Sequence, residues 1–275
     1  LMRAFVVTVP ASESELAADV LWSLGAAAIE ERDAPTDSTL VELVTVLGDD
    51  ELALTASAES FPTRWRWHVA ELDESVMDSW RAHAVASWIA SDLVVVPSWT
   101  SFDTETGPGL TVVRIDPGAA FGLGDHPTTI ASLRAMRAVQ WPGASVLDVG
   151  CGSGVLGIVA AVGGAPSVVA VDVSQAAIEA TADNAKRNHV DAVLDARRTP
   201  VAELDGPFDI VVANILAPVL ISLAPDLRRL TAPGGVLVVS GLLRRRDDHV
   251  LAALEPMHLV ERHDTQGWTA LTLRH

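Results

Sequence analysis

The stretch SVLDVGCGSGVLGIVAAVGGAPSVVAVD, residues 145–172, decides the fold of this chain. Residues 145–149 predict a buried strand, and an apolar helix and a second strand ending on Asp172 come after the turn that follows it. This turn contains three alternating glycines, Gly150, Gly152 and Gly154. A strand, a glycine-rich turn, a helix and an acidic strand end are typical of a βαβ unit that binds a nucleotide.

The glycine turn, residues 150–154, predicts close contact between the backbone and a ligand. Because glycine has no Cβ, the chain can pass directly beneath a bound nucleoside at Gly150, Gly152 and Gly154. The carboxylate of Asp172 can accept hydrogen bonds from both hydroxyls of a ribose. We therefore expect all four residues to bind a cofactor.

Two kinds of nucleoside fit this pattern. Residues 152–157 match G-x-G-x-x-G, the dinucleotide fingerprint, with Asp172 about 20 residues further on, which leaves NAD as an alternative. Asp148 argues against a dinucleotide, because a carboxylate directly before the turn would repel a pyrophosphate and attract a cation. S-adenosylmethionine carries an ammonium and a sulfonium group. We therefore predict S-adenosylmethionine as the cofactor and place Asp148 among the residues that bind it.

Strands and helices alternate after residue 145, which predicts an α/β fold with a doubly wound, Rossmann-like sheet. An antiparallel pair at residues 258–262 and 268–273 is expected to close this sheet. Ligands of such folds bind at the carboxyl ends of the strands, and Asn214 follows the fourth predicted strand at that edge. Upstream, residues 116–126 contain too many glycines for regular structure until Pro127 opens a helix.

The N-terminal part of the chain has a different pattern. Residues 1–71 read as βαββαβ, the order of a small α+β ferredoxin-like module. Residues 73–89 predict a linking helix, since Trp80 and Trp88 are eight apart on one helical face. We therefore expect a first domain at 1–71, a linker helix and connecting strand at 72–98, and a cofactor-binding domain at 99–275.

Composition and charge limit the function further. The chain of 275 residues has a net charge of −17 and a single cysteine, which predicts a reducing, cytoplasmic setting. No apolar run reaches the roughly 18 to 20 residues of a membrane helix, and the N-terminus does not resemble a signal peptide. Residues 1–80 hold 16 acids and four arginines, a net charge of −12. Direct nucleic-acid binding is therefore not expected, whereas a basic protein partner is plausible.

Three further motifs indicate a family. They are D-P-G-x-A-F-G-x-G-x-H-P-T-T at residues 116–129, A-N-I-L-A at 213–217 and S-G-x-L at 240–243. Together with the glycine turn, they make the chain similar to class I methyltransferases that use S-adenosylmethionine. Within that class, the whole chain resembles the ribosomal protein L-eleven methyltransferases, the PrmA family, which carry a small N-terminal domain that recruits the substrate.

The resemblance implies methylation of lysine side chains and of an N-terminal amine on a basic ribosomal protein of the large subunit. It also implies the residues that contact the cofactor, which are Thr129, Gly150, Asp172 and Asn214, with Phe121 and Gly122 approaching from the upstream loop. The chain departs from the family pattern in two places. Leu123 stands where a threonine is usual, and Ser174 and Gln175 follow the acidic strand end where Asp-Pro is frequent.

The expected chemistry is mainly positioning, because the sulfonium is already a good leaving group. The side-chain oxygen of Asn214 can accept hydrogen bonds from the substrate amine and direct its lone pair at the methyl group. His126 is a second candidate catalytic residue, as a proton relay, and Trp268 is a candidate wall of the substrate entrance. We expect a monomer without a metal site.

Three other functions remain as alternatives. The first is a related protein-lysine methyltransferase with a different target, since the N-terminal module is less diagnostic than the motifs. The second is an NAD-dependent oxidoreductase, which rests only on residues 152–157. The third is a non-enzymatic sensor of S-adenosylmethionine. Asn214 argues against a sensor, because cofactor binding alone needs no substrate-side group at that position.

Overall fold

The structure is a computed structural model. It describes residues 3–23, 30–34, 37, 39–45, 58, 61–71, 84–102, 109–118, 122–139 and 142–275. The chain divides into two compact units, residues 1–84 and residues 85–275. Residues 85–98, which the sequence assigned to a linker, therefore belong to the second unit.

The first unit contains one antiparallel sheet. Its elements are β1 (Arg3–Pro10), a 3-10 turn (Ala11–Glu13), α1 (Ser14–Ser23), β2 (Glu30–Asp33), β3 (Leu40–Thr45) and β4 (Arg66–Glu71). The strand order is β2-β3-β1-β4, with β1 between its two antiparallel partners. This is the sheet of the expected ferredoxin-like module. The second helix that the sequence predicts, at residues 49–60, lies almost wholly outside the described residues.

The larger hydrophobic cluster of the first unit lies on one face of this sheet. Alternate β1 residues Phe5, Val7 and Val9 are buried there, because successive side chains of a strand point to opposite faces. Leu21 of α1 packs on the same cluster. The ring of Trp67 stacks on Phe5 with centroids 5.4 Å apart. The unit thus has a hydrophobic core of its own.

The second unit contains two sheets and five α-helices within its described residues. The small sheet consists of β5 (Ser87–Ala90), β6 (Leu93–Pro97) and β7 (Thr111–Ile115). The strands of the large sheet are β8 (Ser145–Val149), β9 (Ser167–Val171), β10 (Leu194–Arg197), β11 (Phe208–Asn214), β12 (Thr231–Leu243), β13 (His258–Thr265) and β14 (Trp268–Arg274). The helices are α2 (Pro127–Ala138), α3 (Val155–Val162), α4 (Gln175–Arg187), α5 (Ala217–Leu230) and α6 (Asp248–Ala253).

The large sheet has the strand order β10-β9-β8-β11-β12-β14-β13. Strands β8 to β12 pair in parallel, whereas β14 is antiparallel to both β12 and β13. Adjacent residues of β8 pack into two different hydrophobic clusters, Val146 into one and Leu147 into the other. The predicted doubly wound sheet and its antiparallel closing pair are confirmed.

The C-terminal end of the predicted linking helix, residues 73–89, is wrong. The sequence placed Ile89 in a helix that began at Asp73, but Ser87–Ala90 is a strand paired antiparallel with β6. The turn at Ser91 and Asp92 closes this hairpin, so tertiary pairing overrides the helical spacing of the tryptophans. The remainder of the predicted helix up to residue 83 lies outside the described residues.

The strand order also fixes where a ligand can enter. From β8 the chain moves outward to β9 and β10, and then returns to place β11 on the other side of β8. This reversal is a topological switch point, where the connections leave a crevice at the carboxyl ends of the two strands. Ala213 of β11 lies beside Val149 of β8. The next residues, Asn214 and Gly150, therefore flank the crevice.

Candidate active site

The glycine turn adopts a backbone that requires glycine. Gly150, Gly152 and Gly154 have φ angles of 71°, 56° and 80°, which other residues adopt only with strain. A Cβ on Gly150 would overlap Cγ2 of Ile215. The amides of Gly150 and Cys151 donate to the carbonyl of Val171 at 2.8 and 3.1 Å, which holds the turn on the end of β9.

Asp172 lies directly beyond that strand end and is partly exposed. Its Oδ2 accepts a hydrogen bond from the Gly152 amide at 3.0 Å, and its Oδ1 accepts one from the Ser174 amide at 2.9 Å. Each carboxylate oxygen has two acceptor sites, so one on each oxygen remains for a ligand. The backbone contacts fix the orientation of the carboxylate and leave acceptor sites on both of its oxygens.

Asp148 lies beneath the glycine turn and has no solvent exposure. Its Oδ2 accepts a hydrogen bond from the Gly157 amide of α3 at 2.9 Å, whereas its Oδ1 has no hydrogen-bond partner among the residues that the structure describes. Burial raises the pKa of Asp148 to about 7, and the charge of Asp172 adds to this, against the opposing Gly157 hydrogen bond. The sequence placed Asp148 among the residues that bind the cofactor. That role remains a prediction, and the structure shows its carboxyl group fully buried at the end of β8.

A pH dependence follows from this buried carboxyl group. Its folded pKa of about 7 lies above the unfolded value of roughly 3.9, so protonation stabilises the cofactor-free folded state. That stability is fully present below about pH 4 and is lost as the pH rises through about 7. Asp148→Asn keeps an acceptor for Gly157 but cannot ionise. Relative to wild type, the free energy of unfolding of this variant should rise by about 1.4 kcal/mol for each pH unit from about pH 5 to 7.

Urea unfolding of the cofactor-free proteins at pH 5, 6, 7 and 8 checks this expectation. Asp209→Asn is the matched control, because hydrogen bonds from Ser145 lower the pKa of Asp209 and leave it ionised throughout that range. The free energy of unfolding of the Asp209 variant should therefore change with pH in parallel with that of wild type. If the free energy of unfolding of Asp148→Asn also changes in parallel with that of wild type, Asp148 does not titrate between these pH values.

Asn214 forms the other side of the crevice. Its Nδ2 donates to the hydroxyl of Thr129 at 3.5 Å, so the amide oxygen faces away from α2. Thr129 is buried in the first turn of that helix. The neighbouring strand end also holds α2 in place, since the hydroxyl of Ser240 donates to the carbonyls of Thr128 and Thr269 at 3.2 and 3.3 Å.

His126 is the N-cap of α2. Its Nδ1 lies 3.3 Å from the Thr128 amide, from which it accepts, and 2.8 Å from the Thr128 hydroxyl. Burial lowers the pKa of His126, against the opposing charge of Asp125. Its ring meets the ring of Trp268 edge-on, with centroids 5.3 Å apart. His126 and Trp268 thus lie together at the start of α2.

The loop before α2 is tied to the glycine turn. Gly122 has a φ of 106°, and its carbonyl accepts a hydrogen bond from the buried hydroxyl of Ser153. A Cβ at Gly122 would lie 2.9 Å from that hydroxyl oxygen. Phe121, which the resemblance places against the cofactor, lies outside the described residues. Leu123 is partly exposed between two glycines of positive φ.

The crevice therefore combines Asp172, the glycine turn, Asn214, Thr129 and Gly122. Sequence reasoning did not single out Ser153, Asn184 or Ser240, whose hydrogen bonds connect the segments around it. Ser153 lies in the stretch 145–172 and Ser240 in the S-G-x-L motif, so the sequence could have indicated both. Asn184 lies inside an ordinary amphipathic helix, and no pattern marked it.

The site fits a cationic nucleoside. Two acidic side chains lie at the ends of neighbouring strands next to the glycine turn, the partly exposed Asp172 and the buried Asp148. A pyrophosphate would meet repulsion there, whereas a sulfonium and an ammonium would be attracted. The fold and this site define a class I methyltransferase that uses S-adenosylmethionine.

Comparison with known proteins gives the family. The model of "Ribosomal protein L11 methyltransferase (PrmA)" matches residues 4–275. The L11 methyltransferase of Citrifermentans bemidjiense is 39% identical over 208 residues, 74% of this chain and 67% of that protein. The Heliobacterium modesticaldum enzyme is 37% identical over 242 residues, 86% of this chain and 75% of that protein.

A solved structure agrees with these relatives. The ribosomal protein L11 methylase of Lactobacillus delbrueckii superposes with a TM-score of 0.63 at 31% identity, covering 70% of this chain and all of that one. The chain belongs to the ribosomal protein L11 methyltransferase family. The NAD-dependent alternative is not favoured. None of the helices in the described ranges has the length and apolar character that crossing a bilayer needs.

Proposed function

We propose that this protein transfers methyl groups from S-adenosylmethionine to amino groups of ribosomal protein L11, on lysine side chains and on the N-terminal amine. The position of Asn214 supports this proposal, because it follows Ala213 at the end of β11, next to the strand that leads into the glycine turn, where its amide oxygen could accept from an amine. The names of the relatives support L11 as the target. A different protein target is the remaining alternative.

The residues of the crevice bind and orient the cofactor. Asp172 accepts hydrogen bonds from its ribose, and the glycine turn allows the backbone to approach it closely. In its ionised form, the carboxylate of Asp148 would attract the positive groups of the cofactor. When bound, S-adenosylmethionine supplies an electrophilic methyl group on sulfur. The protein's own contribution is to bring an amine into line with that methyl group.

The amine must lose its proton before it can react. A free lysine has a pKa of roughly 10.4, and transfer into a desolvated crevice lowers this value. The Asn214 amide is oriented by its contact with Thr129, so its oxygen can accept a hydrogen bond from an amine N–H. This contact directs the remaining lone pair at the methyl group without stabilising the charged ammonium form.

The predicted proton relay through His126 remains a prediction. With Nδ1 accepting from the Thr128 amide, a neutral ring carries its proton on Nε2 and cannot accept another there. Accepting one at Nδ1 would release the helix cap. These contacts favour a positioning role for His126, in which it orients α2 and the ring of Trp268. The leaving proton then passes to solvent.

The first unit is proposed to recruit L11. Residues 1–80 carry a net charge of −12, against −5 for the rest of the chain, and no cofactor motif. An acidic surface suits a basic ribosomal protein, and electrostatic docking weakens as salt shortens the screening length of roughly 8–10 Å. We further propose that the enzyme acts as a cytoplasmic monomer without direct nucleic-acid contact.

Removing residues 1–84 tests both the target and the recruitment. Full-length protein incubated with L11 and methyl-labelled cofactor should show added methyl groups by mass spectrometry. The variant 85–275 should bind S-adenosylmethionine with unchanged affinity, while its kcat/KM for intact L11 falls by at least about tenfold, or about 1.4 kcal/mol. The cofactor titration serves as the folding control.

The outcomes separate the two parts of the proposal. No methylation of L11 by the full-length protein would reject L11 as the substrate. Equal kcat/KM for L11 in the full-length and shortened proteins would reject recruitment by the first unit. Raising the salt from 50 to 500 mM should weaken L11 binding to the full-length protein, whereas methylation of a short lysine peptide should change little.

A further inference from the structure

One face of α4 carries three polar side chains that bind backbone elsewhere in the second unit. Thr181, Asn184 and Asn188 form this face, which we call the polar face of α4. The hydroxyl of Thr181 donates to the carbonyl of Gly152 at 3.0 Å. The two asparagines contact β7 and the residue that follows it. Their positions, three and four residues apart, put all three on one side of the helix.

The two asparagines bind the chain as a neighbouring strand would. Asn188 accepts from the amide of Arg114 at 2.8 Å and donates to its carbonyl at 2.7 Å. Asn184 does the same at Asp116, with distances of 2.9 and 2.8 Å. Arg114 and Asp116 are alternate residues, so their backbone groups point to the same side. Both amides therefore hold the segment from which the loop of residues 116–126 begins.

Asn184 makes one connection that Asn188 lacks. Its Nδ2 also donates to the carbonyl of Ser153, at 3.0 Å, within the glycine turn. Ser153 in turn donates its hydroxyl to the carbonyl of Gly122, further along that loop. Asn184 is fully buried, and the guanidinium of Arg187 occupies the second acceptor site of its Oδ1. All four hydrogen-bonding sites of the amide are thus used.

We infer that Asn184 is a positioning residue for the cofactor site, because it connects the loop at Asp116 to the glycine turn at Ser153, and the Ser153 hydroxyl extends this connection to Gly122. The loop and the glycine turn, which both contribute residues to the crevice, then have a common anchor in α4. If this connection is removed, the binding-competent arrangement is only part of the population, and the apparent Kd rises by the inverse of that fraction. The inference rests on the cofactor site of the proposed function, but not on the identity of the protein substrate.

Calorimetric titration with S-adenosylhomocysteine tests this role in the full-length protein. Asn184→Ala should raise the Kd about tenfold, as expected for loss of one or two hydrogen bonds that order the site. Asn188→Ala is the matched control, since it removes the equivalent pair at Arg114 but no contact with the glycine turn. The control should bind within about twofold of wild type. Both variants should unfold at lower temperature than wild type.

Kinetics distinguish positioning from general destabilisation. In Asn184→Ala, the KM for S-adenosylmethionine should rise with the Kd, while kcat at saturating cofactor stays within about threefold of wild type. A lower Tm with unchanged Kd, or equal losses of affinity in the Asn184 and Asn188 variants, would overturn the inference. A wild type that binds the cofactor but does not methylate L11 would reject the proposed substrate and leave the role of Asn184 intact.

Ser153→Ala is a second test of this connection, at the hydrogen bond between the glycine turn and the loop. It removes the hydrogen bond to Gly122 but keeps the carbonyl that Asn184 binds. Its Kd for S-adenosylhomocysteine should rise at least about threefold. If Asn184→Ala does not fold, this variant decides the question, and an unchanged Kd in folded Ser153→Ala overturns the inference.

Discussion

Replacing Asp172 with alanine is expected to weaken the binding of S-adenosylmethionine by at least about 100-fold. The carboxylate is the proposed acceptor for both ribose hydroxyls, and hydrogen bonds to a charged group contribute roughly 1.5–3 kcal/mol each. Its hydrogen bonds to the amides of Gly152 and Ser174 also fix the turn beneath the cofactor. Isothermal titration calorimetry measures the loss directly.

Asp195→Ala is the control for a general change in surface charge. Asp195 lies on the adjacent strand β10 and is exposed, with its only described ion pair to Arg197 at 3.5 Å. This variant should bind the cofactor as wild type does. Unchanged affinity in Asp172→Ala, or tight binding of NAD by the wild type, would contradict the assignment of the ribose carboxylate and of the cofactor.

Asn214→Ala should reduce kcat on the order of 100-fold while leaving cofactor affinity nearly unchanged. The reason is that its amide oxygen is the proposed acceptor for the substrate amine, whereas Asp172 and the glycine turn are the proposed binding residues for the cofactor. Turnover on L11 and the Kd for S-adenosylhomocysteine should be measured on the same preparations. Equal losses in both quantities would instead assign Asn214 to cofactor binding.

Asn214→Asp separates orientation from charge at the same position. The carboxylate keeps an acceptor for the amine but favours the protonated ammonium, because an opposite charge raises the pKa of an amine. Its activity at pH 7 should therefore fall below wild type and recover in part as the pH rises to 9. An activity that stays flat over this range would show that deprotonation of the amine is not affected by Asn214.

The sequence predicted the parts of the fold whose signals are local. The glycine turn, the apolar helix behind it and the acidic strand end are all contained in 28 consecutive residues, 145–172. The start of α2 was equally clear, because Pro127 is favoured at the first position of a helix. These patterns also placed Asn214 correctly, since parallel strands all end at the same edge of the sheet.

Features that depend on distant parts of the chain could not be predicted in this way. Strand β5 is formed because it pairs with β6, while its own residues are compatible with a helix. Asp148 was correctly placed at the strand end, but its burial depends on how α3 packs over it. The hydrogen bonds of Asn184 and Asn188 join residues 68 and 74 positions apart, and no local pattern records such a pairing.

The pairing of these asparagines with β7 has a consequence for association between molecules. β7 is the outer strand of its sheet, and an edge strand with free amides and carbonyls can add a strand from another copy. At Arg114 and at Asp116 just beyond the strand, those groups are already occupied by side-chain amides from the same chain. At these two residues, the polar face of α4 thus takes the backbone groups that a strand from another copy would need.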